Sequence, residues 1–224
     1  MNRKIVLLSV MILTLGSPML SFAAGWELYD DFNSGTLDTQ KWNNKSTVST
    51  ITIENQRVKI IHNAGFPNES GYLNMTQSPG SILGVRAAIT IASCTGDVRT
   101  RIAGHSADIG EDHVWSSLQF QPGSNRIYSA SGLEGPAPDY AWIYDTHYGE
   151  FKNPLNLLGK TYTASMFFAN DGISYKVQGL GEIVYKYGSA VSPVTDPWSA
   201  IGTRSTNGDG PCTIYVDNVY VYRP

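Results

Sequence analysis

The sequence predicts an all-β protein built as one antiparallel β-sandwich of jelly-roll type. Short runs in which apolar and polar residues alternate cover most of residues 47–222, and turn-forming residues separate them. The composition agrees, with 22 glycines, 13 tyrosines and only 16% charged residues. No segment of this part shows the 3.6-residue periodicity of a helix. On these grounds alone an up-and-down barrel is the alternative.

The N-terminus is typical of a cleaved secretory signal. Arg3 and Lys4 precede an apolar run over 5–15, which is too short to span a bilayer, and a small-x-small site ends at Ala23. We therefore expect a signal peptide over residues 1–23 and a single jelly-roll domain over 24–224. The localisation that follows is secreted or periplasmic.

Charge and length limit the classes of partner. The full chain carries a net charge of −3, and removal of Arg3 and Lys4 takes this to −5. A mildly acidic protein of this kind gives no reason to expect nucleic acid or an anionic membrane as a partner. No later segment reaches transmembrane length, so membrane insertion is not expected either. The sequence leaves the oligomeric state open.

Each predicted strand is bounded by turn signals. Asn55-Gln56 marks a tight hairpin, a Pro-Gly-Ser-Asn run over 122–125 marks another, and Asn170-Asp171-Gly172 is the strongest hairpin signal in the chain. The thirteen predicted strands lie at 47–54, 57–63, 72–77, 82–93, 98–103, 114–121, 126–131, 140–151, 162–169, 173–177, 183–187, 199–203 and 213–222.

Both ends of the chain carry a family resemblance. Residues 29–43 read YDDFNSGTLDTQKWN, and residues 214–222 read IYVDNVYVY. These segments resemble the first and last strands of the concanavalin A-like lectin and glucanase superfamily, which includes laminarinase-type hydrolases, laminin G-like modules and legume lectins. The resemblance implies a jelly roll rather than a barrel, with the terminal strands side by side. It also implies a function connected with carbohydrate, although fold alone does not fix chemistry.

Two cysteines remain after the signal peptide. In an oxidising compartment an isolated pair more often forms a bridge than stays reduced. Cys94 ends one predicted strand and Cys212 opens the last one, and the superfamily places these strands near each other. We therefore expect a Cys94–Cys212 disulfide, with two separately buried thiols as the alternative. The chain has no CxxC motif, so thiol catalysis is not expected.

The resemblance also implies a structural calcium site. Many laminarinase-like jelly rolls bind calcium through an acid near the first strand, a backbone carbonyl and an aspartate of the last strand. Asp31, or its neighbour Asp30, matches the first acid and Asp217 matches the second. Carboxylate and carbonyl oxygens are the ligands that calcium prefers. The alternative is that Asp217 only accepts hydrogen bonds from the local backbone.

The catalytic motif of the hydrolases is not reproduced. Laminarinase-like enzymes carry Glu-x-Asp-x-x-Glu, whose two glutamates act as nucleophile and acid/base. The nearest match here, residues 106–111, has Ser106 in the nucleophile position, followed by Asp108 and Glu111. Gly104 and His105 beside it indicate a loop more than a strand. We therefore assign no catalytic residue and do not expect a retaining glycosidase.

Alternation instead predicts a polar and aromatic sheet face. Residues of one parity on four predicted strands would point away from the core if the strands are neighbours. Aromatic rings stack on sugar rings, and arginine pairs with carboxylate or sulfate through its planar donor fork. The predicted ligand-binding residues on this face are Arg99, Arg101, Trp115, Gln119, Arg126, Tyr128, Trp142 and Tyr144.

Three functions remain compatible with these residues. The first is an exported, non-catalytic carbohydrate-binding jelly roll that favours acidic polysaccharide. The second is a polysaccharide lyase that acts on uronate-containing glycan through Arg, Gln, His and Tyr; the chain lacks the three linear motifs of alginate lyase-type jelly rolls. The third is a laminin G-like adhesive or structural module that binds protein. Apart from the possible calcium, no cofactor is expected.

Overall fold

The computed structural model describes residues 25–44, 46–76, 82–135, 142–152 and 156–224. The expected signal peptide and its cleavage site lie outside this part of the chain and stay a prediction. Within the described residues, no helix is both long enough and apolar enough to cross a membrane.

The described residues form fifteen β-strands and one short 3₁₀ turn, Pro122–Ser124. Most strands begin or end at a turn residue that the sequence already marks, as at Asn55, Gln56 and Asn125, which have positive φ angles. In chain order the strands are Gly25–Asp30 (β1), Trp42–Asn44 (β2), Ser49–Glu54 (β3), Arg57–His62 (β4), Ser70–Met75 (β5), Gly84–Cys94 (β6), Val98–Ile109 (β7), Asp112–Gln121 (β8), Arg126–Glu134 (β9), Trp142–Phe151 (β10), Lys160–Ala169 (β11), Gly172–Val177 (β12), Gly181–Lys186 (β13), Ser192–Ser205 (β14) and Cys212–Arg223 (β15).

The strands form two antiparallel sheets that pack face to face. The first sheet has the order β13-β12-β11-β6-β15-β4-β3, and β1 pairs with the second half of β15 beyond the end of β4. The second sheet has the order β10-β9-β8-β7-β14-β5-β2. The terminal strands are therefore neighbours, as the resemblance implies, and the jelly-roll prediction is confirmed.

The core lies between the sheets and explains the alternation in the sequence. Ile60 and Ile89 enter it from the first sheet, and Ile102 and Leu118 enter it from the second; all four are fully buried. Burial of one such side chain stabilises the fold by about 1.5–3 kcal/mol. Because every second residue of these strands points into the core, the remaining residues of β7 to β9 form the outer face of the second sheet.

The predicted disulfide is present. Cys94 and Cys212 pair directly in the β6–β15 ladder and are bonded to each other, with 118 positions between them in sequence. The bridge ties the end of β6 to the start of the last strand. The alternative of two separate thiols is wrong.

Two sequence expectations fail on β7. Residues 104 and 105, which indicate a loop by composition, continue the strand, and the predicted end at residue 103 is six residues short. Gly104 suits this strand because a β-carbon there would lie 2.4 Å from the carbonyl oxygen of Trp198 on β14. The glycine thus permits close strand approach rather than marking a turn.

Breaking the disulfide should lower stability without changing the fold class. The bridge closes a long loop and restricts the unfolded chain, so replacement of both Cys94 and Cys212 by serine should cost about 2–5 kcal/mol. Urea unfolding of oxidised wild type and of the double variant measures this cost. Equal free energies of unfolding for the two proteins would contradict it.

A buried histidine, His62, and a half-buried one, His147, should make the fold sensitive to acid. His62 of β4 hydrogen-bonds Thr203 Oγ1 of the opposite sheet at 3.0 Å, and the ring of His147 stacks on Tyr185 with centroids 4.8 Å apart. Burial lowers the pKa of both histidines below 6.5. The unfolded chain therefore binds more protons, and stability should fall as the pH drops below about 6.5. Urea titrations between pH 7.5 and 5 measure the slope, and His147→Phe should flatten it; a pH-independent wild type would contradict the prediction.

Candidate functional site

A cleft of about 730 Å³ lies on the outer face of the second sheet, over β7 to β10 and β14. Six of the eight residues predicted from alternation line it. The lining residues are Arg99, Arg101, Trp115, Gln119, Gln121, Arg126, Tyr128, Ala130, Glu134, His147, Tyr148, Arg204 and Thr206. The structure therefore brings most of the predicted set into one concave surface.

A row of three polar side chains crosses the floor of the cleft. Arg101, Gln119 and Tyr128 are direct cross-strand partners on β7, β8 and β9. Arg101 Nε and the Tyr128 hydroxyl both donate to Gln119 Oε1 at 2.9 Å, and Gln119 Nε2 donates to Ser117 Oγ at 2.7 Å. Each of the three cross-strand partners is at most 5% exposed, so the row is fixed in place by its own hydrogen bonds.

A glycine extends this row across β14. Gly202 lies between Arg101 and Tyr72 in the β7–β14–β5 ladder. A β-carbon at Gly202 would lie 2.8 Å from the Tyr72 ring, so its absence makes room for that ring beside β14. The Tyr72 hydroxyl accepts a hydrogen bond from Arg101 Nη1 at 3.2 Å. Arg101 is thus held by two neutral acceptors, Gln119 on one side of its strand and Tyr72 on the other.

Aromatic rings form a second, smaller cluster on this face, apart from the main core. Trp115, Tyr128 and Ala130 pack together there with Trp198 against them. The guanidinium of Arg101 lies 5.4 Å from the Trp115 ring centroid. Trp198 Nε1 donates to Asn74 Oδ1 at 3.0 Å. The face therefore combines rings and hydrogen-bonding groups, which is the mixture that a polar ring-shaped ligand requires.

Two of the cleft arginines already have acidic partners. Arg126 pairs with Glu150 at 2.8 Å and lies over the rings of Tyr128 and Tyr148. Arg99 pairs with Asp97 at 3.1 Å, and its buried Nε has no hydrogen-bond partner among the described residues. These pairs are partly exposed, so each adds little to stability.

The other two arginines have no ion pair within the described part of the chain. Arg101 is 3% exposed and Arg204 is half-buried. Burial, together with the positive charges of Arg101 and Arg99, lowers the pKa of Arg204. Glu134 is the one acid among the described lining residues, and burial raises its pKa while the charge of Arg204 opposes that rise; four arginines line the same cleft. The cleft is therefore electropositive.

Trp142 and Tyr144 are the two predicted residues whose place relative to the cleft the structure does not describe. Both lie on β10, but their side chains fall outside the described part. The β9–β10 ladder shifts register between Trp142 and Tyr144 and again between Asp145 and His147. Such bulges break period-two alternation, so parity alone does not assign these residues to the face of Tyr148.

The aspartate of the partial hydrolase motif is bound to a histidine. Asp108 lies on β7, where its carboxylate is hydrogen-bonded to His113 Nδ1 of β8. Glu111 follows on the exposed turn between these strands, and the side chain of Ser106 falls outside the described part. His113 in turn stacks on His105, with ring centroids 5.2 Å apart.

The expected calcium ligands lie at one end of the β1–β15 pair. The ladder ends at Asp30 opposite Val219, so Asp31 and Asp217 follow at the same end. Asp217 Oδ1 accepts a hydrogen bond from the Asn218 amide at 2.7 Å, and Asp31 accepts two from Asn33. Each carboxylate retains lone pairs for a cation. Asp30 is committed elsewhere, since it accepts from Trp42 Nε1 and from the Phe32 amide.

Sequence reasoning missed several residues of the site. Arg204 lies one residue past the predicted end of its strand, and its parity with Gly202 could have placed it on this face. Tyr72 contacts Arg101, and Trp198 packs against the ring cluster of Trp115, because β14 lies between β7 and β5. That order joins strands distant in sequence, which local alternation does not reveal.

Solved structures share this fold. The κ-carrageenase of Pseudoalteromonas carrageenovora, in complex with an oligotetrasaccharide of κ-carrageenan, is 14% identical over 96% of this chain and 99% of its own, with a TM-score of 0.58. The catalytic domain of an endo-1,3-β-glucanase (laminarinase) of Thermotoga petrophila is 11% identical over 90% and 99%, with a TM-score of 0.58. A lichenase derived from a mouse hindgut metagenome is 11% identical over 91% and 100%, with a TM-score of 0.60. This chain has the jelly-roll fold of these enzymes.

Sequence comparison adds no closer relative. No family model matches the chain, and no curated protein matches it. At 11–14% identity the structural likeness establishes the fold alone.

If calcium binds at Asp31 and Asp217, it should stabilise the fold by linkage, because the unfolded chain does not hold both acids together. Millimolar calcium should then raise the melting temperature of wild type, EDTA should reverse the rise, and Asp217→Ala should abolish it. Asp171→Ala, which removes an exposed acid elsewhere, is the matched control. If neither calcium nor EDTA changes the melting temperature, the prediction of a calcium site is wrong.

Proposed function

We propose that the cleft on the second sheet binds an acidic polysaccharide without cleaving it. The observation that carries this proposal is the buried guanidinium of Arg101, which is held by neutral acceptors and has no carboxylate partner among the described residues. A buried charge without a counter-ion is costly, so the site gains most from an anionic ligand. Carboxylate or sulfate groups match the planar donor fork of arginine.

The donor count supports a ligand at this position. A guanidinium has five N–H donors, and Arg101 uses one on Gln119 and one on Tyr72. Arg204, on the next strand, adds a second positive charge, which forms no salt bridge among the described residues and which the nearby charge of Glu134 offsets in part. The exposed ring of Tyr148, which also lines the cleft and packs on Tyr128, offers apolar surface to the sugar rings that carry the anionic groups.

The solved relatives support the same ligand class. The κ-carrageenase structure holds an oligosaccharide of its substrate, and the laminarinase and lichenase are named for polysaccharide substrates. We extend carbohydrate binding to this chain because the fold matches and the cleft has the composition of a glycan site. The preference for acidic glycan comes from the four arginines of this chain and not from the relatives.

The lyase alternative is less well supported by the geometry. Tyr128 is the tyrosine that contacts Gln119, and a base in that position would have to lose its proton. Burial raises the pKa of Tyr128, and its hydroxyl donates to Gln119 Oε1. Both effects keep the phenol protonated, so the row is better suited to binding than to proton abstraction.

The adhesive alternative would require an apolar surface. The large apolar side chains that are exposed are Leu28, Phe66, Ile143, Tyr148, Leu158 and Val184. They are spread over strands of both sheets and over two loops. Single exposed apolar residues are normal on a soluble protein, whereas a protein interface usually shows a contiguous patch.

Arg101→Ala should weaken binding of a sulfated galactan or of a uronate polymer by about tenfold or more, since hydrogen bonds to charged groups contribute about 1.5–3 kcal/mol. Neutral laminarin should be affected much less. Calorimetric titration at two salt concentrations measures both effects, and the salt dependence should become shallower in the variant.

Arg57→Ala is the matched control, because Arg57 lies on the first sheet over the ring of Tyr215 and outside the cleft. It should bind acidic glycan as wild type does. Equal affinity of Arg101→Ala and wild type, with both folded, would contradict the proposal. Release of unsaturated products that absorb in the near ultraviolet would instead establish the lyase.

A further inference from the structure

A second cleft, of about 670 Å³, lies on the outer face of the first sheet, on the opposite side of the sandwich from the arginine-lined cleft. Its size is within the range of small-molecule and oligosaccharide sites. One wall is aromatic and the neighbouring rows are polar. Nothing in the function proposed above uses this surface.

The aromatic wall is a transverse row across four strands. Trp26 pairs with Tyr222, Tyr222 pairs with Gly84, and Gly84 pairs with Phe167. The rings of Trp26 and Tyr222 meet edge to face at 5.7 Å, and those of Phe167 and Tyr222 do so at 4.9 Å. All three rings are partly exposed.

Gly84 lets these rings converge. A β-carbon at this position would lie 3.0 Å from the edge of the Trp26 ring and 3.1 Å from the Phe167 ring. Without it, the two rings lean in over the strand from either side. The rings therefore form a continuous apolar wall, whereas any residue other than glycine at position 84 would place a side chain between the rings of Trp26 and Phe167.

The row beside the wall is polar. Arg86, Ser165, Lys176 and Glu182 are successive cross-strand partners over β6, β11, β12 and β13. Arg86 is the link to the wall, since its guanidinium lies 4.9 Å from the Trp26 ring centroid and 4.4 Å from that of Tyr220. Thr163 and Gln178 continue the polar lining one row further.

The described lining of this surface carries one net positive charge. Glu182 opposes Lys176 across the ladder, and Arg86 lies against two rings. The first cleft is more positive, since four arginines and one acid line it. The aromatic wall here favours a ligand with one apolar face and hydroxyl groups along its edge, and such a ligand needs no formal charge.

We propose that this second cleft binds a neutral β-glucan segment, so that the protein carries two glycan sites on opposite faces. A β-linked glucose unit has axial C–H groups on both faces of its ring, which stack on aromatic rings, and equatorial hydroxyls around its edge. The wall of Trp26, Tyr222 and Phe167 supplies the stacking surface. The row of Arg86, Ser165, Lys176 and Glu182 supplies donors and acceptors for the hydroxyls.

The test is NMR titration of full-length mature protein with laminarihexaose and with cellohexaose at about 5 mM, which is enough to load a millimolar site. Trp26→Phe assigns the indole N–H signal of Trp26. We expect this signal to move in saturable fashion with at least one of the two hexaoses. No movement with either ligand would overturn the proposal; the titration itself is made on wild type, and only the assignment of the signal uses a variant.

Affinity then tests the wall directly. Trp26→Ala should weaken the binding of the active hexaose by about tenfold, as loss of one stacking ring does for other planar ligands. Leu28→Ala removes an exposed apolar side chain from the same strand outside the cleft and should leave the affinity unchanged. Equal affinity of Trp26→Ala and wild type would contradict the proposal.

The two clefts can be judged separately. Arg101→Ala should leave the movement of the Trp26 signal by neutral hexaose intact, whatever it does to acidic glycan. If an acidic oligosaccharide moves the Trp26 signal and neither neutral hexaose does, the second cleft is an anionic site and the assignment to neutral glucan is wrong.

Discussion

A buried guanidinium needs hydrogen-bond acceptors or a counter-anion, and Arg101 has only neutral acceptors of its own. The rest of the candidate site is arranged around this requirement. Gln119 Oε1 accepts hydrogen bonds from both Arg101 and Tyr128. Gly202 has no side chain and so leaves room for the ring of Tyr72, whose hydroxyl is the second acceptor for Arg101. These bonds hold the charge in a fixed position without neutralising it. A fixed, unneutralised charge in a concave surface favours an anionic ligand.

The arrangement depends on the register of the second sheet. Arg101, Gln119 and Tyr128 meet because three consecutive strands pair without a shift at that row. A slip of one residue would send all three side chains into the core. Ile102 and Leu118 prevent such a slip, since they occupy the core positions of the same strands. The core and the site are thus specified by the same alternation.

The sequence predicts those features of the structure that depend on residues close together in the chain. The hairpin at Asn55 and the alternation around Arg101 are local, and both are confirmed. The position of β14 between β7 and β5 is not local, so the contact of Tyr72 with Arg101 could not be predicted beforehand. The bulges on β10 likewise have no clear sequence signature, and they remove the parity argument for Trp142 and Tyr144.

The two clefts on the outer faces of the sandwich share one structural feature. In each, a glycine brings aromatic rings close to polar groups, Gly202 on one sheet and Gly84 on the other. They differ in charge, since four arginines and one acid line the cleft on the second sheet, whereas two basic residues and one acid line the cleft on the first. A protein with both sites could connect a charged glycan to a neutral one.

The most direct measurement of the central claim is a crystal structure of the protein with a sulfated galactan oligosaccharide. We predict a sulfate oxygen about 2.7–2.9 Å from a guanidinium nitrogen of Arg101, with a sugar ring against the exposed ring of Tyr148. An oligosaccharide bound elsewhere, or bound in the cleft with its sulfates turned away from Arg101 and Arg204, would contradict it.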